Sequence, residues 1–225
     1  MPLSLHEARR YARQLALPNV GLEGQMRLRA ATVLLVDDPR AKVAVETAAL
    51  YLRGAGVGNV RVAGPVTDWG QTLVGIDLAI RFDLDDDALS QAAMLRRMPL
   101  VVARLREESI EILAFRRQRP CGHGQGAASF LPSASSQTWP GRNPVVTRDE
   151  RLFGAAATVA GTVAASEALF VLIAGPDAST RGRPGGARLV QLPLGSSESS
   201  ASPMAADLPW PPPCPLCGSS KEIPS

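Results

Sequence analysis

"TVLLVDDPRAKVAVETAALYLRGAGVGNVRVAG", residues 32–64, decides the architecture. The run "TVLLV" (32–36) is apolar, β-branched and too short for a helix, which marks it as a buried strand. "KVAVETAALYLRGAG" (42–56) has helix length and closes on Gly54 and Gly56 as C-terminal stops, and "NVRVAG" (59–64) reads as a second strand. Strand, helix and strand within about 30 residues form a βαβ unit, which requires the two strands to be parallel. The first turn of such a unit is where backbone amides can cradle phosphate, and glycines are needed there because a Cβ blocks the approach. Here the turn reads Asp37, Asp38, Pro39, Arg40, then Ala41 and Lys42, with no glycine before Gly54.

Outward from this unit, "DLAIRF" (77–82) precedes the helical "DDALSQAAMLRRM" (86–98), followed by "PLVVARL" (99–105) and "SIEILAFRR" (109–117). The expected fold is α/β: a Rossmann-like, mostly parallel sheet with flanking helices in a single domain. Residues 1–30 form an N-terminal helical segment and 31–175 the Rossmann-like domain, whose residues 118–147, rich in Gly, Ser and Pro, form a long crossover loop. Residues 176–213 hold the strand "ARLVQL" and a linker, "SSESSASPMAADLPWPPP", and 214–225 a C-x-x-C tail expected to be zinc-ribbon-like.

Composition narrows the function classes. With 225 residues, 45% of them apolar, the chain builds one sizeable core rather than two domains. A net charge of +3, with arginines spread along the chain, argues against nucleic acid as a partner. Three cysteines, an odd number, and an N-terminus without an apolar signal core point to a reducing cytoplasm. "LFGAAATVAGTVAASEALFVLIAG" (152–175) is long enough to span a bilayer and carries one charge, Glu167. Its first half is mostly Ala, Gly and Thr, residues that gain little from lipid but let backbones approach closely, so a helix buried in protein is expected instead of a membrane span.

The segment "RYARQLALPNVGLEGQMRLRAATVLLV" (10–36) resembles the opening of the ThiF/MoeB/HesA proteins, relatives of the ubiquitin-activating enzymes, where Arg-Tyr-x-Arg-Gln and Gly-x-x-Gly-Gln motifs precede the first strand. "GAGVGNV" (54–60), "PC" (120–121), "AGTVAASEAL" (160–169) and "PCPLCG" (213–218) follow in the family's order. The resemblance implies adenylation of the C-terminal glycine of a ubiquitin-like or sulfur-carrier protein with Mg-ATP, in some members followed by acyl transfer to a cysteine. It also implies a dimer in which the arginine matching Arg13 reaches the ATP phosphates in the partner's pocket. On an isolated helix Arg13, like Arg10, would be an ordinary surface arginine.

Each chemical demand of that reaction meets a changed residue. Pro39 donates no hydrogen bond, and a carboxylate about 4 Å from a phosphate costs roughly 4 kcal/mol at an effective dielectric near 20. Arg40 and Lys42 offset that charge, and Asp37 and Asp38 are candidates to hold magnesium or, as the commoner role, to cap a helix starting near Pro39. The acidic cluster Asp83, Asp85, Asp86 and Asp87 has the same two readings, magnesium or helix capping. The position of the family's acyl-accepting cysteine falls on Thr147, a poor nucleophile without a nearby base. Cys214 and Cys217 have the bite of half a tetrahedral zinc site; the resemblance supplies Cys121, and His123 stands one residue before Gly124, where its second ligand would lie.

These residues suggest a degenerate member that retains fold and dimer surface and supports an active paralogue, as homodimer or heterodimer, or scaffolds a carrier protein. The alternative is an active adenylating enzyme with a rebuilt pocket. A third reading is a stand-alone module that binds precursor peptides.

Overall fold

The computed structural model describes residues 3–36, 41–64, 66, 68–82, 87–105, 109–115, 150–175, 187–194 and 203–208. Three helices lead in: α1 (Leu5–Arg10), α2 (Ala12–Leu15) and α3 (Gly21–Ala30). There follow β1 (Thr32–Val36), α4 (Lys42–Ala55), β2 (Asn59–Ala63), α5 (Trp69–Thr72), β3 (Leu78–Phe82), α6 (Asp87–Leu95), β4 (Leu100–Leu105) and β5 (Ser109–Phe115). The last elements are α7 (Glu150–Ala174), β6 (Ala187–Pro193) and β7 (Met204–Leu208).

All strands join one sheet in the order β2-β1-β3-β4-β5-β6-β7. β2, β1, β3 and β4 run parallel, as the βαβ reading requires; β5, β6 and β7 extend the sheet antiparallel from β4. Side chains alternate across it. Val33, Leu35, Ile80, Phe82, Val101 and Ile112 point towards α3, α4 and α7, whereas Leu34, Val36, Ala79, Val102 and Leu113 pack with Trp69, Leu73 and Leu89 of α5 and α6 and their flanks. Both faces are covered, which is why β3, β4 and β5 read as nearly continuous apolar runs. Burying each large apolar side chain contributes about 1.5–3 kcal/mol.

Helix α7 explains its own composition. It passes the length and hydropathy test for a membrane span, yet Ala156, Ala157, Ala160, Ala164, Ala165 and Ala168 are buried against the rest of the fold. At Gly161 a Cβ would collide with the backbone carbonyl oxygen of Ala44 on α4, so small residues set the close approach of these two helices. The charge at Glu167 is matched: its Oε1 lies 3.2 Å from Nε of Arg188 on β6.

Two expectations are corrected. Helix α4 runs from Lys42, with Ala41 at its N-cap and no side-chain cap bond, and it ends on one αL stop, Gly56 (φ +92°), Gly54 lying inside the helix. The stretch expected as a linker, 196–213, contains β7, which pairs with β6 from Met204↔Gln191 to Leu208↔Ala187. Backbone bonding to an existing edge lets "MAADL", poor in β-formers and flanked by Ser and Pro, serve as a strand.

Candidate functional site

The N-terminal motifs turn out to be joints. Ser4 caps α1: its Oγ accepts from the Glu7 amide, and Glu7 Oε2 accepts from the Ser4 amide at 2.8 Å. Those bonds, with the Arg29 guanidinium 3.2 Å away, hold the Glu7 carboxyl below the ordinary glutamate range. Tyr11 lies against Gly56 at the end of α4, where a Cβ would come within 2.8 Å of its ring. Gly21 opens α3 at φ +54°, Gly24 lets it pass close to Ile173, and Gln25 Nε2 donates to the Ala55 carbonyl at 3.0 Å. Arg27 closes the joint by donating to the Ile173 and Ala174 carbonyls at the end of α7, at 2.7 and 3.2 Å. Arg13, in the last turn of α2, projects into solvent, whereas Arg10 stacks over the Tyr11 ring at 5.5 Å.

Open parallel sheets bind ligands beyond the carboxyl ends of their strands. At that end Val36 of β1 stands beside Arg81 of β3, and Arg104 of β4 faces Glu111 of β5 in direct cross-strand register. Arg81 is 1% exposed, Arg104 4% and Glu111 8%, and strand alternation puts all three on the α6 side, where Ser90 is buried as well. Each of the four has polar or electrostatic contacts. A lone guanidinium in such a place would cost several kcal/mol, so the opposed carboxylate is what makes it tolerable. Sequence reasoning missed these residues. The signal was a single charge inside each of "LAIRF", "LVVARL" and "SIEILAF", runs otherwise apolar on both faces.

Of the residues singled out from sequence, Lys42 is exposed at the first position of α4 and lines a groove along that helix with Glu46 and Arg53. Asp37, Asp38, Arg40, Asp83, Asp85, Asp86, Thr147, Cys121, His123, Cys214 and Cys217 lie outside the described residues; Asp87 opens α6. Among the described residues no three His, Cys, Asp or Glu side chains gather as a metal site.

No family model matches the chain. A stretch of 61 residues is 44% identical to the adenylyltransferase and sulfurtransferase uba4 of Sclerotinia sclerotiorum, covering 27% of this chain and 13% of that protein. The uba4 of Neosartorya fischeri is 51% identical over 59 residues, 26% of this chain and 12% of its own length. The chain therefore spans only a small part of these relatives. Among solved structures, PaaA superposes with a TM-score of 0.56 at 12% identity, over 91% of this chain and 74% of its own. Escherichia coli MccB with MccA gives 0.53 at 11% identity, over 96% and 75%. This chain has the ThiF/MoeB fold. A heterocyclase in complex with substrate and cofactor shares that fold over 97% of this chain, with a TM-score of 0.54 at 15% identity. The ThiF/MoeB fold and the short, near-half-identical stretch together bear out the resemblance carried by the N-terminal motifs.

Proposed function

We propose that this protein is a catalytically degenerate ThiF/MoeB-like chain that supports adenylation of a ubiquitin-like or sulfur-carrier protein as a dimer partner or scaffold. One observation carries the reading. Where a parallel sheet normally opens to its ligand, this one buries Arg81, Arg104 and Glu111, next to a turn whose sequence has no glycine. The residues do not suit Mg-ATP: bulky buried side chains stand at the strand ends, and Asp37, Asp38 and Pro39 bring two carboxylates, Cβ atoms and a missing amide where a triphosphate needs glycine amides. No step is therefore routed through a nucleotide of this chain.

Arg13 remains useful to another chain's site. It is exposed on a helix that Tyr11 fastens to the end of α4, a placement that suits a guanidinium given in trans. Co-purification with a glycine-loop paralogue and pyrophosphate exchange with Arg13→Ala test this: the pair should lose activity about 100-fold. Unchanged exchange would defeat the reading. Calorimetric titration of the isolated chain with Mg-ATP should show no heat; saturable heat would favour the active alternative with Arg40 and Lys42 at a rebuilt pocket.

Zinc belongs to the same proposal. Three thiols, Cys121, Cys214 and Cys217, with the His123 imidazole make a donor set that suits tetrahedral zinc and would tie the long loop to the tail. Metal content after a chelator wash, compared with Cys214→Ser, decides it. The expected location is cytoplasmic, where thiols stay reduced.

A further inference from the structure

We propose that the open edge of β2 is a docking strand for an extended peptide in which valine-like side chains alternate with acidic ones, an interaction separate from any nucleotide chemistry.

Among the described residues β2 pairs with β1 alone. The Asn59 amide donates to the Ala31 carbonyl, towards β1, at 3.1 Å. Because backbone groups alternate along a strand, Arg61 and Ala63 also face β1, whereas the N–H and C=O of Val60 and Val62 face away from the sheet. The strand has no lysine or proline within "NVRVA", and Arg61 is its single charge. An added strand would pair with the groups that Val60 and Val62 present.

A groove of about 470 Å³ runs beside that edge, between β2 and α4. Its floor is the buried Val45 and Ala49; its rims are Leu50, 70% exposed, and Val62, 48% exposed. These are large apolar groups that the fold itself leaves in water. They fit every second side chain of a strand laid on β2.

Charge identifies the occupant. Lys42 and Arg53 line the groove against a single Glu46, a surplus of one positive charge, and Arg61 is exposed on the opposite face of the strand, where the alternate, acidic side chains of an added strand would lie. Lys42 and Arg53 are 11 positions apart on one helix, about 16 Å along its axis. That is the length of about five extended residues, so the two cations flank the whole groove side of one short added strand.

The test uses the full chain and a fluorescein-labelled EVDVE peptide, read by fluorescence polarisation. Saturable binding is expected, with the KVKVK counterpart weaker by roughly tenfold or more. Leu50→Asp should weaken EVDVE to a similar degree, and Arg53→Glu should narrow the preference between the two peptides; both sites are on the surface, so the fold is kept. N-methylation of the probe amides that face β2 should cost roughly tenfold, and methylation of the alternate amides should cost little. Absent binding at millimolar probe, equal binding of the two peptides, or equal effects of the two methylation patterns would overturn the proposal. So would a dimer of the free chain that Val62→Pro splits, since a second copy would then hold the edge.

Discussion

The two ends of this sheet have fared differently. At the amino-terminal side, several residues of the N-terminal motifs have a structural job: Tyr11 on Gly56, Gln25 on Ala55, Gly24 beside Ile173. At the carboxyl ends of the parallel strands, the residues are Arg81, Arg104 and Glu111, all buried, with Glu111 opposite Arg104. The contrast teaches that the sequence of this fold carries two kinds of information. The joints that hold α1 to α3 against α4 and α7 are demanded by packing and last as long as the fold does. The ligand end answers to chemistry as well as packing, so its residues are free to differ wherever the chemistry differs.

The most damaging way to break the comparison is Gly161→Val. Its first added carbon meets the Ala44 carbonyl, a backbone atom that cannot rotate away, so α4 and α7 separate. A loss of about 3 kcal/mol or more, or insoluble protein, is expected in urea titration. Next comes the ligand end itself. Arg104→Ala leaves Glu111 buried without its cross-strand cation and should cost about 3 kcal/mol, whereas Arg104→Met with Glu111→Leu should regain most of that stability. If the double variant also leaves paralogue-supported adenylation intact, those charges are structural filler; if it abolishes it, they are a site.

The smaller effects probe the joints. Arg27→Ala removes the donor to two α7 terminal carbonyls and should cost about 1 kcal/mol, a melting shift of roughly 2–4 °C. Smallest is the Glu7 carboxyl. Its native pKa is lowered by the Ser4 amide, the Ser4 hydroxyl and Arg29, so its contribution is complete above the ordinary glutamate range and fades as pH falls through the lowered native value. The protection of α1 amides, measured against their intrinsic exchange rates, should fall on acidification in the wild type and change little with pH in Glu7→Gln.

The fold was largely legible because strand and helix signals agreed with one another. "TVLLV" is β1 at its expected bounds, and the Ala-rich run at 152–175 is the buried helix that its small residues suggested. What stayed hidden was set by tertiary pairing. β7 exists because β6 offers it an edge, a fact that "MAADL" does not announce. The end of α4 was read at two glycines because either can stop a helix, and only the fold shows that Gly56 takes the αL turn. The candidate site was legible only in its negative half, the missing glycines. Which buried charges stand at the strand ends depends on register and alternation, and only the sheet order brought Arg104 and Glu111 opposite each other.

The place of α7 across the sheet has a consequence for synthesis. It covers the inner faces of β4 and β5 and packs on α3 and α4, yet it leaves the ribosome after five strands have already been made. Until its last turn emerges, those strands have an uncovered greasy side. A nascent chain stalled before residue 174 thus exposes aggregation-prone apolar surface, and translation speed through residues 116–149 sets for how long.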